Sequence, residues 1–195
     1  TDLTAVVAVS VLGGRYYVRS WGLAPTAAAE ERERQNLVPY LRFTVDGSLR
    51  LIPGDSVGIE DDLYPLLDRL IAEHDVKALV IDPWQLRQLS QHYMKRHVTV
   101  YEFPPFHSRF NEPTTFLERA VIEGKLTHDG NSLLRWQVGH TQLNRDGKGY
   151  VRPEKPTNSA KIDNVIALVM AMSQALQHGN REPDVIDDVR PVLWF

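Results

Sequence analysis

Hydrophobic and polar positions follow two different periods along the chain. Residues 3–12 are apolar and β-branched, Gly13 and Gly14 form a hairpin-type turn signal, and residues 15–23 continue as a second extended run. Over residues 59–73 the apolar positions recur instead at helical spacing, which leaves charged residues for solvent. The pattern therefore predicts an antiparallel hairpin at the start of the chain, followed later by an amphipathic helix.

The middle of the chain predicts two parallel strands. After the 59–73 helix come a predicted strand over residues 76–82 (VKALVID), a helix over 85–96 (QLRQLSQHYMKR) and a strand over 98–103 (VTVYEF). The β-α-β order is typical of a parallel pair, because a parallel connection needs a crossover helix. Together with the hairpin, this predicts a mixed sheet flanked by helices.

The remaining segments predict shorter elements. Residues 26–36 predict a charged helix capped by Thr26, and residues 41–54 predict two extended pieces around Asp46-Gly47. Residues 104–113 predict a loop, and Thr114 or Thr115 is the predicted cap of a helix that ends at Gly124.

The last third of the chain predicts a hairpin and a helix. Residues 133–152 alternate and turn at Arg145-Asp146-Gly147, which indicates a hairpin. Residues 158–176 are strongly apolar with helical character, with Asn158 or Ser159 as the predicted cap. The following residues, 178–195, have little periodicity and are predicted to run over the surface or to lead to a part of the protein outside this chain.

Composition narrows the class of protein. The 195 residues are 43% hydrophobic, which suits a single compact domain over residues 1–195. The chain has no cysteine, so a metal ion would need Asp, Glu, His or backbone oxygen as ligands. A net charge of −3 neither supports nor excludes DNA binding, since a basic patch can lie on an acidic protein. No stretch of eighteen apolar residues and no signal peptide is seen, which predicts no membrane association and a cytoplasmic setting.

Two aspartates stand at boundaries between apolar runs and other elements. Asp82 ends the buried strand 76–82 and precedes Pro83, and a carboxylate there is costly unless it is paired or bound to metal. Asp163 lies near the start of the last helix. Carboxylates from separate elements suit Mg²⁺ or Mn²⁺, and ligands favour the carboxyl ends of parallel strands. The alternatives remain open: Asp82 can be a turn residue, and Asp163 can serve the helix dipole.

Other catalytic classes find little support. An apolar strand ending in Asp also occurs in P-loop ATPases, but the chain has no GxxxxGK[ST] segment. The seven histidines are scattered without metal-binding spacing, and no GxSxG elbow is present. The four tryptophans predict core or edge packing rather than base stacking.

Several segments carry a resemblance to a known family. The stretches LVIDPWQLRQL, EFPPF, TFLERAVIEGKLTHDGNSLLRWQV and KIDNVIALVMAM resemble, in this order, the nuclease domain of the large terminase subunit of tailed bacteriophages. The first 76 residues agree less closely, through TDLTA and through the ERER helix followed by VPY.

The resemblance implies an RNase H-like fold of the RuvC type, with a mixed five-stranded central sheet flanked by helices. It also implies an endonuclease that uses two Mg²⁺ or Mn²⁺ ions to cut concatemeric double-stranded viral DNA. Asp82 matches the family's carboxylate at the end of the fourth strand, Asp163 matches the one on the final helix, and Asp2 matches an auxiliary acidic position. The family's first-strand carboxylate lies ahead of the TDLTA-like stretch, so the chain is expected to be the C-terminal part of a longer protein.

The same resemblance implies partners. They are double-stranded DNA, the N-terminal ATPase domain of the same protein, the small terminase subunit and the portal, in the host cytoplasm. The basic residues Arg145, Lys148 and Arg152 of the predicted hairpin, with His107 and Arg109, are expected to contact phosphates. For the hairpin, a solvated turn is the alternative. For the whole domain, the alternative is a non-catalytic module of the same fold that docks DNA or the portal.

Overall fold

The structure is a computed structural model that describes residues 3–35, 37–157, 160–178 and 192–194. Its strands are β1 (Thr4–Leu12), β2 (Arg15–Pro25), β3 (Leu49–Ile52), β4 (Asp75–Ile81), β5 (Val100–Glu102), β6 (Leu126–His128), β7 (Gln142–Arg145), β8 (Val151–Glu154) and β9 (Val192–Trp194). Its helices are α1 (Thr26–Arg34), α2 (Tyr40–Thr44), α3 (Tyr64–Glu73), α4 (Pro83–Lys95), α5 (His107–Ile122), α6 (Ser132–Gly139) and α7 (Asp163–His178). A π-helical turn, Ile59–Leu63, leads directly into α3.

The main sheet of the described residues has seven strands in the order β3-β2-β1-β9-β4-β5, with β6 also paired to β2. β1 and β2 are antiparallel from Thr4↔Leu23 to Leu12↔Arg15, which confirms the predicted hairpin. β4 and β5 are parallel, which confirms the predicted β-α-β unit. The sheet is therefore mixed, as expected.

The alternation of β1 divides the core between the two faces of the sheet. Val6 and Ala8 pack on one face with leucines of α3 and with Leu89 and Tyr93 of α4. Val7 and Val9 pack on the other face with the apolar side of α7. Because successive strand residues point to opposite faces, one strand contributes to both layers of helices.

Two short segments of the first half differ from their predicted form. Residues 40–44 form helix α2 rather than an extended piece, because Tyr40 and Phe43, three residues apart, bury their rings together. Thr26 does not cap α1: Pro25 holds the cap position, and the Thr26 hydroxyl donates to the carbonyl of Ile52 at 3.0 Å.

Helix α5 begins seven residues earlier than its predicted cap at Thr114. It starts at His107 and continues through Pro113, so the predicted loop over 104–113 is wrong from His107 onward. Pro113 lacks a backbone donor, so one hydrogen bond of the helix is missing at this position. The helix tolerates it because Pro113 and Thr114 are buried in the packed face of the helix.

The predicted hairpin over 133–152 is only half correct. Residues 132–139 form helix α6, whose Asn131 cap accepts a hydrogen bond from the amide of Leu134 at 2.8 Å. The hairpin itself is confined to β7 and β8, which pair from Gln142↔Glu154 to Arg145↔Val151.

The end of the chain enters the sheet. Val192–Trp194 form β9 between β1 and β4, so the predicted surface path is wrong for these residues. Helix α7 begins at Asp163, and the predicted caps Asn158 and Ser159 lie outside the described residues. None of the helices in the described ranges is long and apolar enough to cross a membrane.

Candidate active site

A cleft opens at one end of the sheet between β1 and β4. β9 pairs with Val9 of β1 and with residues 75–78 of β4, antiparallel to the first and parallel to the second. The start of β1 and the end of β4 therefore lie at the same end of the sheet. Beyond the β9 pairing, residues 3–7 and 79–82 line a cleft of about 1160 Å³.

Asp82 lies where β4 ends and α4 begins. Its backbone is extended, and its Oδ1 accepts a hydrogen bond from the Trp84 amide at 2.9 Å, which caps α4. Pro83 follows at the first helical position, where its missing donor is tolerated. The half-buried Asp82 also lines the cleft, so its role as a turn residue and its position at the cleft are compatible.

Asp163 is the first residue of α7 and lines the same cleft. It is half-buried and follows the buried Ile162. The structure thus brings two of the three predicted site carboxylates to one cleft from two separate elements. Asp2 lies outside the described residues, and Leu3 and Thr4, which follow it in sequence, line the cleft.

The donors available to a metal ion are few but chemically suitable. Within the described ranges, no group of three or more His, Asp or Glu residues is placed to hold an ion. Mg²⁺ keeps several waters and often takes one or two protein carboxylates together with substrate phosphate. Asp82 and Asp163 fit such a partial set, because both are hard oxygen donors that face one open cleft.

A third carboxylate of the cleft was missed by the sequence analysis. Glu154, the last residue of β8, lines the cleft and accepts a hydrogen bond from the side-chain amide of Asn144 on β7. Glu154 lies two residues after Arg152 on the same strand, and this proximity could have indicated that it reaches the cleft. The sequence prediction for the hairpin considers only its basic residues.

Basic side chains share the cleft with these carboxylates. Arg152 lines it, and its guanidinium donates to the carbonyl of Pro105 at 3.2 Å and lies 5.7 Å from the ring centroid of Phe110. Lys155 and Lys161, which were not predicted, line the cleft as well. Arg152 is therefore anchored between β8 and α5, with the two lysines in the segment between β8 and α7.

The tip of the hairpin lies against the start of α5. A smaller cleft of about 480 Å³ is lined by Phe106, His107, Ser108, Asp146, Gly147, Lys148 and Tyr150. The structure thus brings His107 and Lys148 to the same cleft. Arg145 is exposed beside them on β7, whereas the exposed Arg109 is in the first turn of α5 and lines neither cleft.

An aromatic pair lies at the boundary of the two clefts. Trp84 lines the larger cleft, Phe106 lines the smaller one, and their rings meet edge to face with centroids 5.4 Å apart. The Trp84 side chain is 66% exposed, so of the two predicted forms of packing, core or edge, the core is excluded for this residue.

Comparison with known proteins identifies the family. A family model described as "Terminase large subunit, endonuclease domain" matches residues 1–179. The chain belongs to this family. The predicted membership in the terminase nuclease family is therefore confirmed.

Relatives of this terminase nuclease domain agree with the assignment. The large terminase subunit of Enterobacteria phage HK97 is 23% identical over 177 residues, which cover 89% of this chain and 35% of that protein. Protein YmfN of Escherichia coli (strain K12) is 25% identical over 136 residues, which cover 67% of this chain and 30% of that protein. The chain therefore spans about a third of the length of these relatives.

A solved structure supports the fold. The crystal structure of the HK97 bacteriophage large terminase matches with a TM-score of 0.78 at 23% sequence identity, over 89% of this chain and 37% of that one. The predicted RNase H-like α/β fold with a mixed sheet is confirmed. The short strands β6 and β9 extend the sheet beyond the five strands expected.

Proposed function

We propose that this domain is a metal-dependent endonuclease that cuts concatemeric double-stranded viral DNA during genome packaging. The observation that carries the proposal is the position of Asp82 and Asp163, which come from a strand end and a helix start and line one cleft. Membership in the terminase nuclease family supports a role in phage DNA packaging. The cleft adds a place for the phosphodiester, with both acidic and basic side chains on its walls.

In this proposal Asp82 and Asp163 would hold Mg²⁺ or Mn²⁺, two ions in total, and the first-strand carboxylate that the family resemblance implies, helped by Asp2, would complete the set of ligands. When bound, the ions supply a water of lowered pKa and stabilise charge on the leaving oxygen. The chain keeps its donors in place by secondary structure: Asp82 is held by its bond to the Trp84 amide, and Asp163 by the first turn of α7. Rigid supports of this kind limit the reorganisation needed when substrate binds.

The basic residues would position the DNA strand. Arg152, Lys155 and Lys161 line the cleft that holds the carboxylates, so they are placed to contact phosphates on either side of the scissile bond. Lys148 and His107 at the smaller cleft, with Arg145 and Arg109 nearby, would extend this contact along the duplex. The remaining proposed partners are the ATPase domain, the small terminase subunit and the portal, in the host cytoplasm.

A second candidate is a non-catalytic module of the same fold that docks DNA or the portal. The observation in its favour is that no cluster of three potential ligands is found in the described part of the chain. A docking module needs the basic surface but not the aspartates. The two candidates therefore differ in their dependence on Asp82 and Asp163.

Plasmid cleavage separates these candidates. The purified protein is incubated with supercoiled plasmid and Mn²⁺, with and without EDTA, beside Asp82→Asn and an Asp75→Asn control at the opposite end of β4. We expect nicked and linear DNA only with metal, in the wild type and the Asp75→Asn variant but not in the Asp82→Asn variant. DNA binding without any metal-dependent cleavage by the wild type would favour the docking module.

A further inference from the structure

Two buried amide side chains form a reciprocal pair directly beside Asp163. Gln137 of α6 accepts a hydrogen bond from the backbone amide of Asn164 at 2.7 Å, and its Nε2 donates to Asn164 Oδ1 at 2.9 Å. Both residues are 0% exposed. The amide of Asn164 can only donate, so it fixes which end of the Gln137 side chain faces it.

Gln137 thereby caps α7 from another helix. α7 begins at Asp163, so the amide of Asn164 belongs to the first turn, where backbone donors have no partner within the helix. Ser, Thr, Asp and Asn side chains next to a helix start usually serve this purpose. Here the acceptor comes from α6, 27 residues earlier in the chain.

Hydrogen bonds also connect the Gln137–Asn164 pair to strand β2 of the sheet. The Asn164 Nδ2 donates to Ser20 Oγ at 2.7 Å and to the carbonyl of Trp21 at 3.2 Å, both on β2. The carbonyl of Ser20 accepts from the side chain of Asn131, the cap of α6, at 2.8 Å. The network therefore ties β2, the start of α6 and the start of α7 together.

The network constrains the backbone that carries Asp163. On one side Asp163 is followed by Asn164 with its four hydrogen bonds, and on the other it is preceded by Ile162, which is buried in the core beneath α7. A buried polar group that loses its partners carries a large penalty, so these bonds resist displacement of the helix start. The backbone of Asp163, which lines the cleft, is therefore held in a fixed position.

We propose that Gln137 is a positioning residue for metal binding: by capping α7 through Asn164 it holds the Asp163 carboxylate in the geometry that the ions require. The inference rests on the proposed function, since it assigns Asp163 a metal. Partners that orient metal ligands from behind commonly change metal affinity 10- to 100-fold when they are removed. Gln137 would act in this way through the backbone rather than through the carboxylate itself.

Gln137→Met tests the proposal, because Met has similar length but makes neither hydrogen bond. The matched control is Gln174→Met, which makes the same change at a buried site of α7, where the side-chain Oε1 of Gln174 has no hydrogen-bond partner. Mn²⁺ binding is followed by electron paramagnetic resonance, which does not depend on cleavage. We expect affinity to fall about 10-fold or more in Gln137→Met and to stay within 2-fold of wild type in Gln174→Met.

A double-substitution cycle with Asp163→Asn separates positioning from general destabilisation. If Gln137 acts through Asp163, Gln137→Met should weaken Mn²⁺ binding no further once the carboxylate is gone. Equal losses in both backgrounds, or a Gln137→Met protein of lower stability with unchanged Mn²⁺ affinity, would overturn the inference.

Ser20→Ala provides a milder version of the test if Gln137→Met does not fold. It removes one acceptor of Asn164 and keeps the Gln137 pair and the Trp21 bond. We expect a smaller loss of Mn²⁺ affinity, about 3-fold, that again disappears in the Asp163→Asn background.

Wild-type protein that binds no Mn²⁺ would contradict the proposed function together with this inference. Binding that depends on Asp163 but not on Gln137 or Ser20 would remove the inference alone.

Discussion

At Asp163 a single substitution separates a metal ligand from a helix-dipole carboxylate. Asn preserves the size of Asp163 but removes its charge. A carboxylate that serves only the dipole would cost about 0.3–1 kcal/mol of stability when replaced, with activity retained. If Asp163 and Asp82 share an ion in their common cleft, their like charges repel when the ion is absent, so replacing Asp163 should leave stability equal or slightly higher. We expect the second result, together with loss of Mn²⁺-dependent cleavage.

Melting curves and plasmid nicking, each with and without Mn²⁺, measure both effects on the same preparations. Asp75→Asn is the control, because Asp75 is an exposed carboxylate paired with Lys77 at the far end of β4. It should change neither cleavage nor the stabilisation that Mn²⁺ gives. An Asp163→Asn protein that is less stable yet fully active would exclude the ligand role.

Some residues of the cleft could be predicted from the local sequence pattern, and others could not. Asp82 and Asp163 could be predicted because each interrupts an apolar run at the boundary of an element. Glu154 and Lys155 reach the cleft only because β8 ends beside the start of α7, and no local period encodes that contact. The alternation over residues 133–152 predicts a strand at Gln137, and nothing in that local pattern indicates that its side chain caps a distant helix.

Between α3 and α4, the buried hydroxyl of Tyr93 forms a polar link. The Tyr93 hydroxyl on α4 donates to Asp68 Oδ1 on α3 at 2.9 Å, and Arg96 donates to the same oxygen at 2.8 Å. Tyr93→Phe keeps the ring in the core and removes the donor. Because Asp68 retains Arg96 and is partly exposed, we expect a loss of about 0.5–1.5 kcal/mol in urea unfolding. Tyr101→Phe, at an exposed ring on β5, should change stability by less than about 0.5 kcal/mol.

The same link predicts a response to high pH. Burial, and then the hydrogen bond to Asp68 and its negative charge, raise the pKa of Tyr93 well above its ordinary value of 10.0. The folded state therefore keeps this proton while the unfolded chain loses it, so the contribution of Tyr93 is complete below pH 10 and falls as the pH rises further. The stability gap between wild type and Tyr93→Phe should narrow from pH 9 to pH 11. A gap that widens over this range would contradict the assignment.

Elements with a clear period were predicted well, and those defined by distant contacts were not. The β1-β2 hairpin, α3 and the β4-α4-β5 unit carry their pattern within themselves. The local pattern predicts a strand where α6 forms, because this helix depends on the Asn131 cap and on burial of Leu133 and Leu134 against other elements. The three residues of β9 gain their strand form from β1 and β4, which lie far away in the sequence.

The distribution of charge over the molecule bears on how a domain with a net charge of −3 could make the proposed contact with DNA. Arg152, Lys155 and Lys161 share the larger cleft with three carboxylates, and Lys148 shares the smaller cleft with Asp146. Other acidic residues, such as Asp61, Glu73 and Asp75, are exposed outside both clefts. Local potential, rather than net charge, governs the approach of a polyanion. In the proposed function, bound metal ions would offset the carboxylates of the cleft, so a domain of negative net charge could still present a basic surface to the duplex.

The salt dependence of DNA binding tests that surface. Arg145 and Lys148 are exposed at the hairpin, so replacing both with Ala removes two cations without disturbing Arg152, which is tied to Pro105 and Phe110. Each lost phosphate contact should reduce the slope of log K against log [salt] by about 0.9, which gives about 1.8 for the pair.

The control is the double variant Arg42→Ala with Lys95→Ala, which removes the same charge from exposed sites on α2 and α4. We expect its slope to match wild type. If the slope of log K against log [salt] is the same in both double variants, binding follows net charge rather than the hairpin. The hairpin would then be a solvated turn.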